Sequence, residues 1–211
     1  ENWAHFLTIV DDSRINQAEK SLCNMLRVKK LQGKRFLDIG SGSGLFSLAA
    51  RRLGATVHSF DHDPKSVACT NELKARYFCD DPHWVVEEGS VLDKNYIIGL
   101  GHFDIVYSWG VLHHTGDMWQ ALSNVSNIVC EGGKLFIAIY NDQGLASKFW
   151  LRVKNAYNRL PHGFRWLVLL PATICLWGPK TIRDLVAGRP FYAWRNYSKE
   201  GSRGMSPWRD L

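Results

Sequence analysis

Short apolar runs alternate with amphipathic stretches along the first two thirds of the chain. Apolar runs of this length predict buried strands, and the intervening apolar residues at three- and four-residue spacing predict helices. Because strands and helices alternate, we predict an α/β fold, a doubly wound and mostly parallel Rossmann-like sheet with helices on both faces. The predicted strands are 36–39, 56–60, 84–87, 103–108 and 134–140, and the predicted helices are 14–31, 45–53, 65–77 and 118–129.

The last third of the chain has a different pattern. It predicts helices at 147–159, 164–177 and 181–187, without a further strand. We therefore divide the chain into an N-terminal helical cap (1–34), a core (35–144) and a basic helical lid or appendage (145–211). The fifth predicted strand would be left as an unpaired edge, so either the chain is shortened at its C-terminus, as we expect, or a partner covers this strand. Because it begins with Glu1, we also expect a trimmed N-terminus.

Charge separates the same two parts of the chain. Residues 1–140 contain 14 Lys and Arg against 16 Asp and Glu, whereas residues 141–211 contain 12 against 4. The apolar stretch 166–177 is far shorter than the roughly 20 residues that span a bilayer. We interpret it as a lid over a substrate pocket. Contact with a membrane surface and a homodimer contact remain alternatives.

A glycine-rich loop follows the first predicted strand. Residues 40–44 read Gly-Ser-Gly-Ser-Gly and lead directly into a helical pattern. Glycines allow a tight turn and a close approach of the backbone to a ligand, and a helix N-terminus offers free N–H groups. The order of strand, glycine turn and helix predicts a site for a nucleotide-like ligand. Leu45 stands where a dinucleotide site would have a small residue.

An acidic residue ends the second predicted strand. Asp61 lies 21 residues after Gly40, and a carboxylate can accept two hydrogen bonds from the diol of a ribose. This feature predicts a nucleoside ligand without distinguishing between cofactors. Asp63 precedes Pro64 and is predicted to cap the next helix instead.

Three stretches together resemble class I S-adenosylmethionine-dependent methyltransferases. They are the glycine loop with Asp38 two residues before it, the segment 88–93 after the third strand, and the segment 107–116 around the fourth strand. The last of these, which reads YSWGVLHHTG, is similar to small-molecule methyltransferases, including those of quinone biosynthesis. The resemblance covers residues 36–140, about half of the chain.

This resemblance implies a cofactor and a reaction. The cofactor is S-adenosyl-L-methionine, the product S-adenosyl-L-homocysteine, and the acceptor an O, N or C nucleophile of a small molecule. The resemblance implies that the glycine loop lies near the methionine part of the cofactor and that the segment after the third strand meets the adenine. The implied cofactor-binding residues are Asp38, Gly40, Ser41, Gly42, Gly44, Asp61, His62, Ser90, Val91, Ser108 and Trp109.

Two adjacent histidines are the candidate catalytic residues. A neutral His113 or His114 can take a proton from an acceptor hydroxyl as the methyl group is transferred. Both residues have an alternative role in capping the next helix or in packing beneath the cofactor. A metal site is not predicted, because neither an acid nor a cysteine lies nearby at ligand spacing.

The candidate substrate contacts follow the fifth strand, at the edge where open α/β sheets bind ligands. They form a run of four polar side chains, and the alternative is a polar loop closed by Gly144. The four residues are Tyr140, Asn141, Asp142 and Gln143.

Three other functions remain open at this point. The basic C-terminal part is compatible with an RNA methyltransferase, although the chain lacks the N/D-P-P-Y/F sequence of many amino-group methyltransferases. A cofactor-binding module without catalysis is the second alternative. A nicotinamide dehydrogenase is the third, and Leu45 and Asp38 argue against it. The odd number of cysteines without a C-x-x-C pair, together with no signal peptide, predicts a cytoplasmic protein.

Overall fold

The computed structural model describes residues 2–140 and 144–200. In the described residues, five parallel strands form one sheet in the order β3-β2-β1-β4-β5. The predicted α/β fold is thereby confirmed. The strands are β1 (Arg35–Ile39), β2 (Thr56–Asp61), β3 (Trp84–Glu88), β4 (Phe103–Trp109) and β5 (Val129–Ala138).

Six α-helices surround this sheet, and a short 3₁₀ helix (Leu112–His114) follows β4. Asp63 caps α4 through the N–H of Lys65, with Pro64 at the first helical position, which confirms its predicted role. The helices are α1 (Asn2–Ile9), α2 (Asp12–Leu26), α3 (Leu45–Arg52), α4 (Pro64–Tyr77), α5 (Lys94–Gly99) and α6 (Met118–Ser126).

The sheet has a buried apolar layer on each face. Successive side chains of a strand point to opposite faces, so Phe36 of β1 joins one layer while Leu37 and Ile39 join the other. The first layer also contains Leu22 of α2 and Leu48 of α3. Burial on both faces explains why the central strands read as nearly continuous apolar runs.

Several predicted boundaries are wrong for local backbone reasons. Helix α2 ends at Leu26 and not at residue 31, because Arg27 adopts a left-handed conformation and its N–H bonds the carbonyl of Asn24. Strand β5 begins at Val129 and not at residue 134. Residues 130–133, which lie between the predicted helix and the predicted strand, are an irregularity inside β5, where the register with β4 shifts.

Within residues 144–200, the structure has three further α-helices, α7 (Leu145–Arg159), α8 (Trp166–Val186) and α9 (Tyr192–Glu200). The predicted break in α8 is wrong: the helix runs through Pro171 and Pro179. Packing on α9 supports it, since the rings of Trp177 and Trp194 lie 4.4 Å apart and buried Asp184 accepts a hydrogen bond from the N–H of Ala193. No described helix is long and apolar enough to cross a membrane.

The chain forms two compact units, residues 1–140 and 141–211. Helix α2 packs on α3 and shares the apolar layer of the sheet, so the first 34 residues fold with the core. The functional division into cap, core and lid stays a prediction.

The shared layer makes α2 a determinant of stability. Leu22→Ala should lower the free energy of unfolding by about 2–5 kcal/mol, because it leaves a cavity at a fully buried position. Urea unfolding would show one cooperative transition at lower denaturant. Lys20→Ala, on the exposed side of the same helix, should change little. A separate early transition in Leu22→Ala would show that the N-terminal helices are an independent cap.

Candidate active site

The glycine loop is folded back onto the end of β2. The N–H groups of Gly40 and Ser41 donate to the carbonyl of Phe60 at 2.9 and 3.1 Å. Gly40, Gly42 and Gly44 all have positive φ, at 72°, 55° and 76°. Only glycine adopts this backbone without strain, so the alternating glycines are required by the turn itself.

Gly40 is also required by its neighbour. A Cβ atom at this position would lie 2.4 Å from Cγ2 of Val111, in the loop after β4. The backbone of the glycine loop therefore touches the loop that follows the central strand. This contact brings the carboxyl ends of β1 and β4 together.

Asp61 holds the loop from the other side. Its Oδ2 accepts a hydrogen bond from the N–H of Gly42 at 2.9 Å, and its Oδ1 accepts one from the N–H of Asp63 at 2.9 Å. Its own carbonyl accepts the N–H of Gly89 at 3.0 Å. Each carboxylate oxygen still has acceptor capacity for a ligand. Asp61 thus links three ligand-edge loops.

A cavity of about 390 Å³ opens at this carboxyl edge of the sheet. Residues from the ends of all four strands β1 to β4 line it, as expected for the ligand crevice of an open α/β sheet. Six predicted site residues belong to the lining: Gly40, Asp61, His62, Ser90, Val91 and His114.

Sequence reasoning missed several lining residues. Gly89 was not singled out, yet a Cβ there would lie 2.4 Å from the Tyr96 ring, which packs beneath the cavity wall. The missed residues could have been found from their position, because they lie at the carboxyl ends of strands or in the loops that follow. The missed residues are Ile39, Phe60, Gly89, Leu92, Gly110, Val111 and Thr115.

Seven of the predicted cofactor-binding and catalytic residues lie outside the lining. The Ser41 hydroxyl bonds that of Thr70, and the Ser108 hydroxyl donates to the carbonyl of Ile39. Trp109 stacks between aromatic rings of the apolar layer. The cofactor role of six of them and the catalytic role of His113 stay predictions, as do the roles of the residues that line the cavity. The seven are Asp38, Ser41, Gly42, Gly44, Ser108, Trp109 and His113.

Asp38 is buried beneath the loop and does not face the cavity. Its carboxylate accepts a hydrogen bond from the hydroxyl of Ser47 in the first turn of α3. Burial raises the pKa of Asp38 to about 7; the Ser47 hydrogen bond opposes this shift and the charge of Asp61 adds to it.

The two histidines differ in their surroundings. His114 is exposed and lines the cavity, whereas both ring nitrogens of His113 are buried and have no hydrogen-bond partner among the described residues. Their ring centroids are 4.0 Å apart, and the His113 ring lies 4.7 Å from that of Tyr140. Burial, followed by the charge of His114, lowers the pKa of His113.

Of the four predicted substrate contacts, only Tyr140 is described. Its hydroxyl oxygen would lie 3.3 Å from a Cβ at Gly110, a cavity-lining residue. Asn141, Asp142 and Gln143 lie outside the described residues. In the described part of the chain, no cluster of three or more His, Cys, Asp or Glu residues is arranged to hold a metal ion.

A family model for a methyltransferase domain matches residues 14–194, most of the chain. The chain belongs to this methyltransferase family. The family transfers a methyl group from S-adenosylmethionine, so the predicted cofactor, enzyme class and fold are confirmed together. The nicotinamide dehydrogenase alternative is thereby removed.

Two curated relatives of this methyltransferase have the same name, ubiquinone biosynthesis O-methyltransferase. The chain is 30% identical over 183 residues to the ubiquinone biosynthesis O-methyltransferase of Xanthomonas euvesicatoria, and the match covers 82% of the chain and 73% of the relative. It is 28% identical over 155 residues to a protein of the same name from Coxiella burnetii, covering 67% of the chain and 62% of that relative. The chain therefore spans between three fifths and three quarters of these proteins.

Solved structures share its fold at low identity. One is magnesium protoporphyrin IX methyltransferase from Synechocystis, with a TM-score of 0.53 at 16% identity over 67% of this chain and 62% of that one. Another is precorrin-8W decarboxylase from Methanobacterium thermoautotrophicum, with a TM-score of 0.50 at 18% identity over 64% and 67%. These likenesses show the fold alone.

The residues present fit the adenosine part of S-adenosylmethionine. Without a Cβ, the backbones of Gly40 and Gly89 can form the cavity wall while Val111 and Tyr96 pack directly against them. The Asp61 carboxylate in the same lining offers acceptors to a diol. Val91 supplies an apolar surface and Ser90 a polar group on the same wall. This combination of hydrogen-bonding groups and apolar surface matches the chemistry of a nucleoside.

The contact between Gly40 and Val111 predicts a site-specific defect. Gly40→Ala should weaken S-adenosylhomocysteine binding by about tenfold or more in calorimetric titration, because the new Cβ pushes Val111 away and distorts the cavity. Gly33→Ala is the matched control. Its φ of 71° is almost the same, but a Cβ there meets nothing within 4 Å. It carries the strain of a left-handed conformation, about 1–2 kcal/mol, without touching the site. Equal binding defects in the two variants would contradict the assigned role of Gly40.

Proposed function

We propose that this methyltransferase binds S-adenosylmethionine in the cavity at the carboxyl edge of its sheet and methylates an oxygen atom of a small molecule. One observation carries the proposal: Gly40, Asp61, Ser90 and Val91 meet around a single cavity that His114 also lines. The names of the relatives support oxygen as the acceptor atom and a small molecule as the acceptor.

The chain's main contribution to catalysis is position. When bound, S-adenosylmethionine supplies a methyl group on a sulfonium, for which the neutral thioether is a good leaving group. The glycine loop and Asp61 would fix the nucleoside, so that binding converts a two-body encounter into an aligned reaction. The apolar residues Val91 and Val111 would exclude water from the same crevice.

A base is needed if the acceptor is a hydroxyl. His114 lines the cavity, and the ring of His113 lies 4.0 Å from that of His114, with both nitrogens buried. Burial keeps His113 neutral to lower pH than an ordinary histidine, which leaves it able to accept a proton. We assign the proton-accepting role to this pair.

The finer partner assignments are also proposals. Several large apolar side chains of α8 are exposed, including Trp166, Leu170 and Ile174, and nearby Arg165 and Lys180 are basic. We keep the lid over a substrate pocket as the proposed role of this helix, and contact with an anionic membrane surface or with a second copy of the chain as the alternatives that this composition also supports. We propose a cytoplasmic location, supported by five cysteines, all in the described residues, that form no disulfide. RNA as acceptor is supported only by the basic C-terminal part.

Removal of Asp61 tests the cavity as the cofactor site. Asp61→Ala should weaken S-adenosylmethionine and S-adenosylhomocysteine binding by at least about tenfold in calorimetric titration, because both the Gly42 bond and the diol acceptor are lost. The control is Asp63→Ala, which removes a neighbouring carboxylate that caps α4 and does not line the cavity. It should lose stability but keep its affinity for both ligands. Unchanged affinity in Asp61→Ala would refute this site.

Removal of His113 tests the base. Transfer of a labelled methyl group to a panel of small phenols, amines and RNA should select a phenol. With the acceptor that this panel selects, His113→Gln should lower kcat by about 10²–10⁴-fold, while S-adenosylmethionine still binds. In the wild type, kcat should fall as the pH drops through the lowered pKa of His113, because the protonated ring cannot accept a proton. His102→Gln, an exposed histidine before β4, is the control. Wild-type turnover in His113→Gln would exclude this role, and methylation of RNA alone would exclude a small-molecule acceptor.

A further inference from the structure

A chain of buried hydrogen bonds runs beneath the glycine loop. The indole N–H of Trp84 donates to the Ser59 hydroxyl at 3.0 Å, and the Ser59 hydroxyl donates to that of Ser47 at 2.8 Å. The Ser47 hydroxyl donates to the carboxylate of Asp38. All four side chains are at most 3% exposed, and they come from β3, β2, α3 and β1.

The chemistry of the two ends gives this chain a direction. An indole N–H can only donate, so the Ser59 oxygen must accept from Trp84 and turn its own hydrogen toward Ser47. Ser47 must in turn point its hydrogen at Asp38, which as a carboxylate can only accept. The backbone N–H of Ser47 also donates to this carboxylate. Every hydrogen bond therefore favours the ionised form of Asp38.

The charge of Asp38 acts on the ligand site without touching it. Asp38 adjoins Ile39 and Gly40, which line the cavity, and interacts electrostatically with Asp61, which also lines it. Because Asp38 is buried, this interaction is weakly screened. An ionised Asp38 thus makes the site more favourable for a cation.

We propose that Trp84, Ser59 and Ser47 position and stabilise the Asp38 carboxylate so that the site favours S-adenosylmethionine, which has a positively charged sulfonium, over S-adenosylhomocysteine, whose thioether sulfur is uncharged. This inference rests on the proposed cofactor site. Asp38 and the three donors are positioning residues, since they act through the electrostatics of the cavity. Their effect is to favour the release of the product over that of the substrate.

The titratable groups around the site set the design of the test. On β2 and in the loop after it, Asp61 and His62 face the cavity, and the loop after β4 contributes His114. Helix α3 presents Ser47 to Asp38, while its Arg51 pairs with Asp81. In β4, the register neighbour of Asp38 is Tyr107. The ring of His113, whose pKa is lowered by burial, lies 4.0 Å from that of His114. Loss of charge from these three histidines would also favour S-adenosylmethionine at higher pH, so they must be removed separately.

The experiment measures the Kd of each ligand from pH 5.5 to 9 by calorimetry. Their ratio is informative because both ligands carry the same amino and carboxyl groups. In the wild type, preference for S-adenosylmethionine should rise with pH, with a midpoint near the raised pKa of Asp38, about 7. Ser47→Ala should move the midpoint up by about one pH unit or more, since a hydrogen bond to the charged form is lost. Ser59→Ala should move it in the same direction by less.

Three comparisons make the result decisive. Ser66→Ala removes another buried serine hydroxyl that donates to a carboxylate, that of Asp63, and should leave the midpoint unchanged. In a His62→Gln/His113→Gln/His114→Gln background, the shift caused by Ser47→Ala should persist. The carboxyl ¹³C resonance of Asp38 in the ligand-free protein should titrate higher in Ser47→Ala than in the wild type.

Two outcomes would overturn the inference. If Ser47→Ala weakens both ligands equally and leaves the midpoint in place, the chain has only a structural role. If the pH dependence disappears in the histidine variant, these histidines and not Asp38 cause it. Wild-type protein that binds neither ligand would instead refute the proposed cofactor site, so the two failures are distinguishable.

Discussion

The hydrogen bond between the Asp61 carboxylate and the N–H of Gly42 is the interaction on which the site depends. It ties the glycine loop after β1 to the end of β2, and the carbonyl of Asp61 ties the loop after β3 to the same point. The Gly40–Val111 contact adds the loop after β4. Four loops from consecutive positions in the sheet are thereby fixed around one cavity, which is preorganised before any ligand arrives.

The fold also places negative charge close to the cavity. Asp38 is the last but one residue of β1 and Asp61 the last residue of the neighbouring parallel strand β2, so the fold brings two carboxylates close to one edge of the sheet. Burial of Asp38 is unfavourable for its charge, and the donors from Ser47 offset this cost in part. The same arrangement that supports the loop therefore also sets the electrostatics of the cavity. In the proposed account, the buried Asp38 carboxylate thus links the support of the glycine loop to the preference for S-adenosylmethionine.

Much of this could be predicted from the sequence, because short-range patterns carry it. The alternation of strands and helices predicted the sheet, and Gly40 and Asp61 stood at strand ends, where an α/β fold builds its ligand site. Other features depend on distant neighbours. The hydrogen bond from Ser59 to Ser47 joins residues 12 positions apart in different elements. Nothing local marked Val111 as the residue against Gly40, or Arg27 as the end of α2.

The most direct test of the account is a crystal structure of the protein with S-adenosylhomocysteine. The account predicts electron density for the nucleoside in the cavity, with the ribose hydroxyls on Asp61 and the adenine against Ser90 and Val91. It also predicts that the Gly42–Asp61 hydrogen bond is unchanged from the ligand-free state. Nucleoside density elsewhere, or a ribose that does not contact Asp61, would contradict the central claim.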